Sequence, residues 1–76
     1  MDKITFIEDE CIGLHITECE DRLKKHFSVK FVDEKIDDGN DDGSYCMMRS
    51  FNVDEYYVRL YYNDNDGIVF DVSVIK

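Results

Sequence analysis

Seventy-six residues with 18 Asp+Glu against 9 Lys+Arg, a formal net charge of −9, leave room for one domain over residues 1–76 and one small core. Such a surface repels nucleic acid and anionic lipid and attracts basic proteins or cations. A hydrophobic content of 43%, with five Phe and five Tyr, argues against wholesale disorder, and no apolar run is long enough for a membrane-spanning helix.

In chain order, Ile4, Phe6 and their β-favouring neighbours predict a first strand over Lys3–Ile7. Ile12, Leu14 and Ile16 alternate and suggest a strand returning from a turn at Glu8–Glu10. Ile12, Ile16, Cys19, Leu23 and Phe27 also fit helical spacing, so a helix through them is the alternative. Thr17-Glu18-Cys19-Glu20 reads as a capping box, in which Thr17 and Glu20 satisfy orphan amides at a helix start. Acids follow in the first turn. Arg22, Lys24, Lys25 and His26 lie toward the end, complementing the helix dipole. A helix from Glu18 to about Phe27 results, with Cys19, Leu23 and Phe27 as its apolar stripe.

Ser28–Val32 reads as a strand and Lys35–Ser44 as a polar loop. Three alternating segments follow, Tyr45–Val53, Tyr56–Tyr62 and Ile68–Ile75, joined by short turns at Asn52–Glu55 and Asn63–Gly67. The expected fold is α+β: one short helix packed on an antiparallel β-sheet ending in a three-stranded meander. One helix covers only part of one sheet face. The other carries Tyr57, Arg59 and Tyr61, with Cys46 and Met48. These residue types are common at contact surfaces.

The acids cluster. Asp33, Glu34, Asp37, Asp38, Asp41 and Asp42 crowd one stretch, Asp64 and Asp66 mark a later turn, and Glu8-Asp9-Glu10 forms a third group. Asp38, Asn40, Asp42 and Gly43 match the first half of an EF-hand-type calcium loop. The position that should supply a bidentate Glu is Arg49, so the expectation is a solvated acidic turn and no metal site. Cys11, His15 and Cys19 are spaced C-x3-H-x3-C, which is no familiar zinc spacing. Three cysteines cannot pair completely, and free thiols suit a reducing cytoplasm. The N-terminus lacks the basic start and apolar run of a secretory signal. No Gly-rich phosphate loop or nucleophile elbow is present, and a negative field raises a thiol pKa. The expectation is a protein that is not an enzyme and needs no cofactor.

These readings converge on a small acidic inhibitor of a basic nucleic-acid-binding protein or nuclease complex. Carboxylates at the turns of a sheet would stand in for DNA phosphates. Phage anti-CRISPR and anti-restriction proteins, and the immunity proteins of bacterial nuclease toxins, are often small, cytosolic and acidic. The chain resembles them in size and charge, the anti-CRISPR group most. Asp33, Glu34, Asp37, Asp38, Asp41, Asp42, Asp64 and Asp66 are the expected charged contacts, and Tyr57 and Tyr61 the expected anchors. A weak calcium-binding module and a homodimer formed through the tyrosine face are the competing readings.

Overall fold

The structure, a computed structural model, describes residues 2–39, 43 and 45–76, with Asp38 and Gly39 described as backbone alone. The element order is α1 (Lys3–Cys11), α2 (Ile16–His26), β1 (Val29–Gly39), β2 (Tyr45–Val53), β3 (Tyr56–Asn63) and β4 (Val69–Ile75). The strands form one antiparallel sheet in the order β1-β2-β3-β4. The α+β expectation holds, with a helix on an antiparallel meander. Four local expectations do not.

The first predicted strand is the helix α1. Its β-favouring residues are overruled by packing: Ile7 and Cys11, one helical turn apart, are fully buried against α2 and the sheet. Asp2 caps its start, accepting a hydrogen bond from the Ile4 N–H at 3.2 Å. Gly13, at φ +92°, turns the chain, and its N–H donates to the Val69 carbonyl at 2.8 Å.

The Ile12–Ile16 segment is this corner, not a strand. Its sheet-like pairing is one isolated bridge between His15 and Ile68. The helix α2 starts at Ile16, earlier than the capping box predicts, and its cap is His15. The His15 imidazole Nδ1 accepts from the Thr17 N–H at 3.2 Å, the role expected of the Thr17 side chain. Glu20 is released from capping and turns to Lys24 and Arg49.

β1 is longer than expected, because residues 35–39 continue it instead of looping. The reason lies in β2. Tyr45–Met48 needs a partner, and Gly39, Asp38, Ile36 and Lys35 supply it in register. Bulges fall between Phe31 and Asp33 and between Ile36 and Asp38, leaving 33–36 as a regular stretch.

The core lies between the helices and one sheet face. Ile7, Cys11, Ile16, Cys19 and Leu23 meet Phe51, Val53, Val58, Leu60, Tyr62, Val69 and Val72. Gly67 locks the helical corner to the β3–β4 turn. It has φ +70°, its carbonyl accepts from the Ile16 N–H at 2.8 Å, and a Cβ there would sit 2.4 Å from His15 Nε2. The molecule measures 37 × 20 × 17 Å, and the eleven residues of β1 alone extend roughly 36 Å at strand rise.

Candidate functional site

Register and strand direction gather the acidic turns at one end of the sheet. β1 and β3 run toward that end, and β2 and β4 leave it. Asp37 and Asp38 approach it at the end of β1, while Asp64 and Asp66 sit in the β3–β4 turn. The two clusters are bound together. The Asp64 carboxylate accepts from the Tyr45 N–H at 2.8 Å, and the Asp64 N–H donates to the Tyr45 carbonyl at 3.0 Å. The Asp66 carboxylate accepts from the Ile68 N–H at 2.9 Å. The acidic start of α2 faces the same way, because the His15 corner joins the β3–β4 turn. Lys24, Lys25 and His26 close α2 at the opposite end. There the Asp54 carboxylate accepts from the Ser28 N–H at 2.9 Å and also pairs with Lys3 at 3.3 Å. The fold is therefore polarised along its length, acidic at one end and mixed at the other. Asp41, Asp42 and the calcium-like loop containing Asn40 lie outside the described residues.

Asp33 and Glu34 separate from this end. Asp33 stands on the helix-free face, pairing with Lys35 at 3.4 Å. Glu34 points to the helix side into a network that the sequence did not reveal. It accepts from the Arg49 guanidinium and from the Tyr62 hydroxyl, the latter at 2.7 Å. Arg49 also reaches Glu20 at 3.3 Å and lies 5.6 Å from the Tyr62 ring centre. Glu34 is thus an internal partner, and little of its charge remains for an outside contact. The clue in the sequence was the inward place of Arg49, in phase with Met47, Phe51 and Val53.

This network sets a pH dependence. Partial burial pushes the Glu34 carboxyl up, but the Tyr62 hydroxyl and Arg49 outweigh it and hold it below the usual range. Burial first, then Glu34, pushes the Tyr62 phenol up to about 12. The Glu34 contribution is complete above its unfolded pKa and is lost as pH falls through the lowered folded value. The Tyr62 contribution is complete below the ordinary phenol value of 10.0 and is lost as pH rises toward about 12. In Glu34→Gln, urea denaturation should show a shallower acid limb, and Tyr62 should ionise at lower pH by phenolate absorbance. An unmoved Tyr62 titration would show that the two groups are not coupled.

The helix-free face carries Tyr57, Arg59 and Tyr61 from β3, with Cys46, Met48 and Ser50 of β2 buried beside them. The sequence expectation for this face holds in placement, but its surroundings differ. Lys30, Lys35 and Arg59 share the face with Asp33 and Asp71, so the tyrosines stand among cations as well as acids. Arg59 lies over the Tyr57 ring, 5.2 Å from its centre. Ser50 Oγ and Arg59 Nε are buried without a hydrogen-bond partner.

The cysteine–histidine spacing resolves into structure. Cys11 and Cys19 are fully buried, and the Cys19 thiol donates to the Cys11 carbonyl at 3.1 Å. The neighbouring Cys19 thiol, then burial, pushes the Cys11 thiol well above its usual range, which leaves it a poor nucleophile. His15 spends Nδ1 on the α2 cap. Among the described residues no group of three His, Cys, Asp or Glu side chains is placed to hold a metal. An open cleft lined by Lys3, Phe6, His26 and Phe27 lies at the other end of the helices, where Phe6 meets His26 and Phe27 edge-on. No described helix is long and apolar enough to cross a membrane. Comparison with protein-family models, curated proteins and solved structures finds no match for this chain.

Proposed function

We propose that this protein is a small acidic inhibitor of the anti-CRISPR kind, which binds the basic groove of a nucleic-acid-binding protein or nuclease complex in place of nucleic acid. It acts by occupancy, not catalysis. The supporting observation is the convergence of the β1 end and the β3–β4 turn, with Asp37, Asp38, Asp64 and Asp66, at one end of a hydrogen-bonded sheet. Backbone N–H groups hold the Asp64 and Asp66 carboxylates in place, so little entropy is lost when these meet a basic surface. Three strand spacings separate β1 from β4, about 14 Å. A DNA duplex carries roughly eight phosphate charges over that length. The described acids fall short of this density, so charge steers the encounter and apolar contact must add to it. Tyr45, exposed and hydrogen-bonded through its backbone to Asp64, supplies the nearest aromatic surface, with Tyr61 further along the sheet and Tyr57 toward its opposite end. A cytoplasmic setting accords with the unpaired thiols of Cys11 and Cys19.

The test is capture on immobilised protein from a host lysate, followed by graded salt and by duplex DNA as a competitor. The expected partner is a basic protein released by moderate salt and displaced by DNA, because screening acts over about 10 Å at 0.1 M salt. A partner that resists both would bind by packing, and nucleic-acid mimicry would be wrong.

A further inference from the structure

The two edges of the sheet are unlike. Part of the β4 rim is occupied by the helical corner: the Val69 carbonyl accepts from the Gly13 N–H, and the Val69 N–H donates to the Leu14 carbonyl, both at 2.8 Å. β1 has β2 on one side and, among the described residues, no strand on the other. It is also apolar for an edge. Phe31, Val32 and Ile36 are 56%, 45% and 61% exposed. A long edge strand with exposed apolar side chains is a template for another strand, and here the Glu34 N–H donates to the neighbouring Asp33 carboxylate at 2.8 Å.

We propose that β1 pairs antiparallel with β1 of a second copy of this chain, about a two-fold axis at Glu34, joining two sheets into one of eight strands. The charge order along β1 selects both occupant and register. With the bulge residues Val32 and Asp37 left out of the count, an axis at Glu34 sets Lys35 of each copy opposite Asp33 of the other and Phe31 opposite Ile36. An axis between residues 33 and 34 would oppose Asp33 to Glu34. On the same count, an axis at Asp33 would oppose Lys35 to Lys30 and Glu34 to Phe31. Only the Glu34 axis matches opposite charges and apolar residues together, and opposite charges directly across a strand pair stabilise it.

Geometry supports the same axis. Asp33 and Lys35 already share the helix-free face, as their 3.4 Å pair shows. They lie in the regular stretch between the two bulges. The one like-charged meeting is Glu34 with its own copy. That carboxylate is neutralised within each protomer by Arg49 and the Tyr62 hydroxyl. The net charge of −9 per chain opposes association and sets its strength, so the pairing is reversible and concentration-dependent. Asp64 and Asp66, in the β3–β4 turn, stay clear of the joint, whereas Asp37 and Asp38 belong to β1 and lie along it. The inference is independent of the proposed target.

Sedimentation equilibrium of the intact chain at about 0.15 M salt tests it. The wild type should shift with concentration from 9.0 kDa toward twice that mass. Asp33→Lys and Lys35→Glu each place like charges opposite one another at two symmetry-related positions. Each should weaken the dimer by about tenfold or more. The double variant Asp33→Lys/Lys35→Glu restores opposite charges and should restore the dimer. Both side chains are about half exposed or more, so circular dichroism should show an unchanged fold. A wild type that stays monomeric up to roughly 1 mM would overturn the proposal. So would single reversals without effect, or a double variant that does not regain what the singles lose.

Discussion

Phe51→Ala is expected to remove most of the stability of this protein. Phe51 is fully buried toward the C-terminal end of β2, paired with Val58 on one side and Phe31 on the other. Its ring meets Phe31 edge-on, with centres 5.9 Å apart. Truncating a buried phenylalanine costs about 3–5 kcal/mol, from lost transfer energy and the cavity left behind. A chain of this size has on the order of 4–11 kcal/mol to lose. The variant should therefore melt far below the wild type or populate unfolded chain without denaturant. Phe31→Ala is the control. Phe31 is an edge residue, and its loss should cost about 1 kcal/mol or less. Urea denaturation followed by circular dichroism measures both. Equal costs for the two would place the core outside the helix–sheet interface.

The second large effect concerns binding. The set Asp37→Asn, Asp38→Asn, Asp64→Asn and Asp66→Asn removes four charges from the acidic end and keeps the turn chemistry. At positions 64 and 66 the substituted side-chain amides retain an oxygen that can still accept from the Tyr45 and Ile68 N–H groups. The fold should persist. Association with a basic partner should slow by about tenfold or more at low salt, because steering by a charged surface raises on-rates by roughly 10 to 10³. The difference should shrink at high salt. Tyr57→Ala and Tyr61→Ala should act mainly on dissociation if those rings anchor the contact. Surface plasmon resonance against the captured partner separates the two. A charge-depleted set that binds at wild-type rates, beside tyrosine variants that do not bind, would assign recognition to the helix-free face alone.

These two predictions differ in how far the sequence supports them. Phe51 and its alternating neighbours were legible, because a half-buried strand writes a period of two into its residues. The same period separated Tyr57, Arg59 and Tyr61 from Val58 and Leu60. α1 was not legible. Ile4, Thr5, Phe6 and Ile7 favour strands locally, and Glu8, Asp9 and Glu10 oppose the helix dipole near its end. Only burial of Ile7 and Cys11 against distant residues made them helical. The turn chemistry Asp37–Gly43 hid the continuation of β1, because a strand with acids on its solvent edge has the composition of a loop.

The sequence by itself determined the class: an acidic α+β domain with a meander, a helix centred on Cys19 and Leu23, and a tyrosine-bearing sheet face. These follow from local periodicity, which neighbouring residues carry whatever the rest of the chain does. Tertiary structure alone decided which acids act together. Glu34 is adjacent to Asp33 in sequence, yet it is drawn inward by Arg49 and Tyr62. Asp64 is remote from Asp37, yet it shares an end with it because Tyr45 is hydrogen-bonded to the β3–β4 turn. Charge interacts through space and not along the chain, so a cluster in sequence becomes a site only after strand direction and register have placed it.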